Sequence, residues 1–192
     1  MIKNILVVLL LASSIQIFAE EWNVKKSNSN MVKFISSTTV LDFEGVTSNI
    51  DGYLYWEGEK MFSGNNELYF EVDINSIETG SGKRDRDMRE DVLETDKWQT
   101  TYFKGKIISS NSIEKNKYEI KAVGKMFIHG IENEKEIDAE LFFNEGILNV
   151  KTNFSVLLKD YKIKAPSLLA FIKVAEEIKL NLNFILEKSE EK

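Results

Sequence analysis

The sequence predicts an all-β domain of sequential antiparallel strands, either a sandwich or an up-and-down barrel. Three observations carry this. Apolar and polar residues alternate along most of the chain, which places successive side chains on opposite faces of a pleated strand. Turn-forming residues separate the alternating runs: Asn65-Asn66, Ser110-Asn111-Ser112, Asn116, Asn133 and Asn144-Glu145-Gly146. The chain also holds a single proline, Pro166. Strands without edge-blocking prolines are protected from aggregation when the sheet closes on itself.

The elements follow in order. Residues 1–19 read as a secretory leader, with Lys3 ahead of an apolar run from Ile5 to Ala12 and the small Ala19 before Glu20 and Glu21. Ser13, Ser14 and Gln16 interrupt that run short of the ~20 apolar residues that a bilayer span needs. Cleavage after Ala19 leaves one domain over 20–192, with net charge −7, in the periplasm. Val32 to Thr39 and Ile50 to Trp56 are weak strands. Leu68, Phe70, Val72 and Ile74 alternate with Glu67, Tyr69, Glu71 and Asp73. From Ser81 to Lys97 charge is dense and Met88, Val92 and Leu93 recur at helical spacing, which predicts a short helix between Lys83 and Leu93. Phe103 to Ile108 is another weak strand. Tyr118 to Ile128 is a longer one, with Gly124 expected at a bend or bulge. Ile137 to Phe143, Leu148 to Val156 and Ile178 to Phe184 complete the set. The cluster Leu168, Leu169, Phe171 and Ile172 after Pro166 reads either as a second helical turn or as plain core packing.

Composition removes most chemistries. With no Cys there is no disulfide, thiolate metal site or catalytic thiol, and one His rules out a His-rich metal site. Net charge −6 argues against nucleic acid and against a bare anionic membrane surface. Gly80-Ser81-Gly82-Lys83 lacks the earlier Gly and the following Ser or Thr of a phosphate loop. Asp85, Asp87 and Asp91 lack the turn Gly of a calcium loop and are interleaved with arginines. His129 lies in Ile128-His129-Gly130, and no nucleophile elbow accompanies it. An abundant apolar and aromatic supply remains, including 12 Phe, 6 Tyr and 3 Trp. Barrels of about eight strands enclose room for packed side chains or for one small ligand, and the alternation leaves both open.

The segment Ser76-Ile77-Glu78-Thr79-Gly80-Ser81-Gly82-Lys83-Arg84-Asp85-Arg86-Asp87-Met88-Arg89, followed by Leu93, Trp98 and Phe103-Lys104-Gly105-Lys106, resembles the signature of the YceI-like family of exported lipid-binding proteins. Trp22-Asn23-Val24, Phe43-Glu44-Gly45, Gly124 to Ile131 and Asp160-Tyr161-Lys162-Ile163 agree with it in the family's order. Asp87 stands where the family often has His, and Trp98-Gln99 where it has Tyr-Pro.

The resemblance implies an extended, lipocalin-like antiparallel β-barrel of about eight strands with one short α-helix. Its interior would hold a long-chain lipid, whether a polyisoprenoid, an isoprenoid quinone or a fatty-acid-like molecule. It implies a non-enzymatic carrier with no cofactor, no metal and no nucleic-acid partner, making at most transient contact with a membrane or membrane protein. No pattern in the sequence encodes the oligomeric state. Combined with the alternation, this makes Leu54, Trp56, Leu68, Phe70, Val72, Phe103, Ile120, Met126, Ile128, Phe154 and Val156 the expected lining, with plain core packing as the other reading of each. Arg84, Asp85 and Arg89 are expected at the mouth, either touching a polar head group or pinning the helix. A module with a filled barrel, and an enzyme using His129 or the Asp85 helix, are the competing functions.

Overall fold

The computed structural model describes residues 19–58, 62, 65–169 and 172–189, so the leader assignment, apart from Ala19, falls outside it. Twelve strands are present among these residues: β1 Ala19–Val24, β2 Met31–Ser37, β3 Asp42–Thr47, β4 Ile50–Glu57, β5 Asn66–Asp73, β6 Thr100–Glu114, β7 Lys117–Ile128, β8 Ile131–Asn144, β9 Ile147–Leu157, β10 Ser167–Leu169, β11 Ile172–Lys173 and β12 Glu177–Lys188. Helix α1, Gly82–Asp87, runs into a π-helical turn at Met88–Val92. This matches the helix expected from Lys83 to Leu93.

Antiparallel neighbours run β1-β4-β5-β6-β7-β8-β9-β12, and β12 returns to β1 through Val24 opposite Leu186, which closes an eight-stranded barrel. The N-terminal half of β12 pairs instead with β2, whose Phe34 faces Leu180, and β3 pairs with β2 as an outer strand. The barrel therefore splays at one end. There β3 is joined to the segment before α1 by the bridge between Val46 and Glu78 and by a hydrogen bond between the Thr47 and Ser76 hydroxyls. That end also carries the turn between β2 and β3, the stretch 74–99 with α1, the turn His129-Gly130, and residues 158–169 and 172–176. We call it the helix end. The opposite, hairpin end carries the turns 115–116 and 144–146.

Several sequence expectations change. Residues after Pro166 do not form a helical turn: β10 and β11 pair as a hairpin, and the Val174 amide donates to the Pro166 carbonyl at 3.1 Å. Cross-strand bonds thus take up backbone groups that a helix would satisfy within itself. Ser110-Asn111-Ser112 is not a turn but part of β6, where two register shifts absorb the polar stretch. Asn133 lies inside β8, and the chain reverses instead at His129-Gly130, both with positive φ, as a two-residue hairpin loop requires. A side chain at Gly130 would also meet the Trp98 ring at 2.6 Å. Gly124 is not bulged. It pairs in register with Gly105, and a Cβ there would lie 2.2 Å from the Lys104 carbonyl oxygen.

Candidate functional site

Inner-face positions of the barrel strands converge on one apolar core, and all eleven expected lining residues belong to it. Leu54, Trp56, Leu68, Val72, Phe103, Ile120, Met126 and Val156 are buried, whereas Phe70, Ile128 and Phe154 are partly buried.

The packing is uneven along the barrel axis. At the hairpin end, Leu148 and Leu186 face each other across β9 and β12 with no exposure. An aromatic chain fills the space beside them, Trp22 to Phe143 at 5.4 Å, Phe143 to Tyr118 at 5.9 Å, Tyr118 to Phe62 at 6.3 Å and Phe62 to Trp56 at 5.1 Å. Edge-to-face contacts of this kind close that end with side chains. Along β12 toward the helix end the same inner face loosens. Phe184 is 2% exposed, but Leu182, Leu180 and Ile178 keep accessible surface, as do Phe154 opposite Leu180 and Ile128 at the end of β7. A partly exposed apolar side chain on the inner face is less completely covered by its neighbours than an enclosed one, so the core is less tightly covered along this part of β12.

Ile178, Leu180 and Leu182 are absent from the expected lining, although the alternation from Ile178 to Phe184 that predicts β12 puts them on its inner face. Phe34 and Ser36 of β2 were hidden because the β2–β3 extension is not visible as a second layer in any local pattern. Ser36 is 3% exposed, lies opposite Phe43, and its Oγ has no hydrogen-bond partner among the described residues.

The mouth at this end is organised by α1. Arg84 places its guanidinium 4.9 Å over the Phe43 ring, while its Nε donates to Thr79 Oγ1 at 2.8 Å and its Nη2 to the Thr79 carbonyl at 2.6 Å. Asp85 accepts from the Thr79 amide at 2.9 Å and from the Thr79 hydroxyl. That hydroxyl first, then the amide and the Arg89 and Arg84 charges, hold the Asp85 carboxyl below the usual range. Arg89 donates from Nη2 to the Ile77 carbonyl at 2.9 Å and buries an unpartnered Nε. All three expected mouth residues therefore pin the helix to residues 77–79, and Arg89 Nε and Ser36 Oγ retain unused hydrogen-bonding capacity.

His129 does a different job. Its Nε2 lies 2.9 Å from Glu94 Oε2 and its Nδ1 lies 3.4 Å from the Tyr161 carbonyl, tying the loop after α1 to the stretch after β9. Glu94 is also bound by Lys97, and Lys97 first and His129 second hold its carboxyl below the usual range. Both partners are acceptors, so a neutral ring donates to one of them.

One side of the helix end is also breached. β8 and β9 pair only from Ala139 opposite Thr152 to Asn144 opposite Ile147, and toward the helix end they separate. A recess of about 360 Å³, lined by Asn133, Lys135, Ser155, Val156 and Tyr161 among others, occupies the split. Lys135 reaches across it, donating to the Ser155 carbonyl at 2.7 Å with its Nζ 5.9 Å from the Phe154 ring centroid.

The sequence matches the family model described as the YceI-like domain over residues 22–186. The chain belongs to the YceI-like family. Solved structures agree in fold. BcnA of Burkholderia cenocepacia superposes with a TM-score of 0.69 at 13% identity, covering 84% of this chain and 98% of that one. A polyisoprenoid-binding domain from Saccharophagus degradans gives 0.66 at 11% identity, covering 88% and 98%. The Campylobacter jejuni YceI protein gives 0.59 at 17% identity, covering 80% and 88%. No curated protein sequence matches the chain. No helix among the described residues is long and apolar enough to cross a membrane.

Proposed function

We propose that this YceI-like protein is a non-enzymatic periplasmic carrier that sequesters the tail of a long apolar lipid, a polyisoprenoid, isoprenoid quinone or fatty-acid-like chain, in the helix-end half of its barrel. The observation that carries the proposal is the partly exposed apolar inner face formed by Phe70, Ile128, Phe154 and Leu180. A fold shared with a polyisoprenoid-binding domain supports it.

The physics fits carriage. Each buried CH₂ gains roughly 0.8 kcal/mol, and a bilayer offers nearly the same. A carrier needs only near parity with the membrane, which an apolar chamber with few polar anchors provides while keeping exchange possible. Arg89 and Ser36 are the polar groups with unused hydrogen-bonding capacity at the mouth, and Asp85 and Arg84 fix the helix there through Thr79.

The test enlarges side chains in the chamber. Phe154→Trp and Phe70→Trp should cut the lipid retained through purification while leaving the fold intact by circular dichroism. Unchanged retention in both would overturn the assignment of the chamber.

A further inference from the structure

Among the described residues, exposed large apolar side chains fall at the two ends of the barrel. Ile108, Ile113 and Phe142 lie on the outer hairpins and Val46 within β3, whereas Val40 and Leu41 form the tip of the β2–β3 hairpin at the helix end and are the most exposed of all, at 64% and 54%. That tip is not a loose loop. The Thr38 amide donates to the Leu41 carbonyl at 2.8 Å, its hydroxyl donates to the same carbonyl, and that hydroxyl accepts from the amides of Val40 and Leu41. A turn with its backbone satisfied this way holds two apolar side chains outward, where each forfeits the gain of burial.

One segment at this end runs against the protein's overall charge. Thr38 bridges to Val174, and Val174 bonds to Pro166, which sets Pro166 and Lys173 beside the β2–β3 hairpin, while residues 159–165 lie at the same end of the barrel, with Tyr161 against His129 after β7 and Asp160 against β8. The stretch 159–173 carries exposed Lys159, Lys162, Lys164 and Lys173 against one acid, Asp160, in a chain of net charge −6. Buried Tyr161 and Ile163 anchor it between the lysines. Among the described residues none of the four lysines forms an ion pair, while Lys33 on neighbouring β2 is neutralised by Glu44 at 3.0 Å. Glu176 and Glu177 follow outside this stretch.

We propose that the helix end is a membrane-docking face whose occupant is an anionic bilayer surface. Val40 and Leu41 enter the boundary between head groups and acyl chains, and the unpaired lysines meet lipid phosphates, the combination of apolar area and cationic charge on which interfacial binding depends. The lysine segment is thus a local exception to the net charge, set apart from Asp42 and from the acids of 74–99 at the same end. The docked pose sets the loosely packed half of the barrel toward the bilayer. For that purpose it rests on the carrier reading, but the binding itself does not.

Flotation of the mature chain with phosphatidylcholine vesicles containing about one third phosphatidylglycerol tests the surface. The protein should float with them, and should do so far less with pure phosphatidylcholine or at high salt. Val40→Asp with Leu41→Asp should lower the bound fraction on the order of tenfold, and Lys162→Glu with Lys164→Glu should lower it by about fivefold or more per lysine. Ile113→Asp, at the other end, should change nothing. If the aspartates disturb the hairpin by circular dichroism, Val40→Ser with Leu41→Ser carries the same comparison. Wild-type protein that stays unbound, tip variants that float normally, or an equal loss in Ile113→Asp would each overturn the proposal. Native mass spectrometry reports the carrier reading separately: a lipid-free protein that still floats keeps this surface and removes the carrier.

Discussion

Two leucine-to-alanine substitutions, one in each half of the barrel, should differ sharply in cost. Leu148 on β9 is fully enclosed between Leu186 and the aromatic chain at the hairpin end. Leu148→Ala removes buried methyl groups and leaves a cavity that the surrounding rings cannot collapse into, a loss of about 3–4 kcal/mol. Leu182 on β12 faces the same interior but is only partly buried. Leu182→Ala therefore forfeits only part of a transfer energy and creates no new closed void, a loss of about 1 kcal/mol. For a domain of this size each kcal/mol moves the melting temperature by roughly 2–4 °C, so thermal unfolding of delipidated protein should show a drop of about 10 °C for the first and below about 4 °C for the second. Overpacking should run the same way, with Leu148→Trp strongly destabilising and Leu182→Trp mild. Equal shifts at the two positions would mean that the interior is packed alike throughout, and the chamber would not exist.

Other consequences concern the scaffold. Gly124→Ala should cost about 2–3 kcal/mol in urea unfolding, because its Cβ meets backbone of β6 at 2.2 Å and no side chain can yield there. Asp85 titrates below its unfolded value, so its contribution to pinning α1 is complete above about pH 4 and fades as pH falls through the lowered folded value. Amide exchange across 82–92, corrected for intrinsic rates, should therefore rise below about pH 4 in the wild type and show no such step in Asp85→Asn. Lys135→Met removes the donor that spans the β8–β9 split. It should raise exchange in 153–157 with a global loss of only about 1–2 kcal/mol.

Much of this architecture is legible in the alternation. β5, β7, β8, β9 and β12 each present bulky apolar residues on one face because that face is buried, and α1 shows itself by charge density and the spacing of Met88 and Val92. β1 and β3 were not predicted. In β3 the inner positions include Gly45 and Thr47, since the Phe34 ring lies over Gly45 and leaves no room for a large side chain, so the apolar signal is carried by the partner strand. The far part of β6, from Ser109 to Glu114, is exposed throughout and has no dry face to read. The same limit applies to the site. Parity assigns Phe70, Met126 and Phe154 to the inside, but whether an inside residue touches a neighbour or a space depends on the distance between opposite walls, set by the β2–β3 splay and the aromatic chain. Both arise from contacts distant in sequence, as does the Glu94–His129 pairing that draws the mouth together.

The most direct measurement is native mass spectrometry of the chain purified from its own host without detergent. A carrier with a half-open barrel should fly with one bound lipid, lost on organic extraction and recovered in the extract as a long-chain molecule. Protein that leaves its host at the bare polypeptide mass, with nothing extractable, would contradict the account.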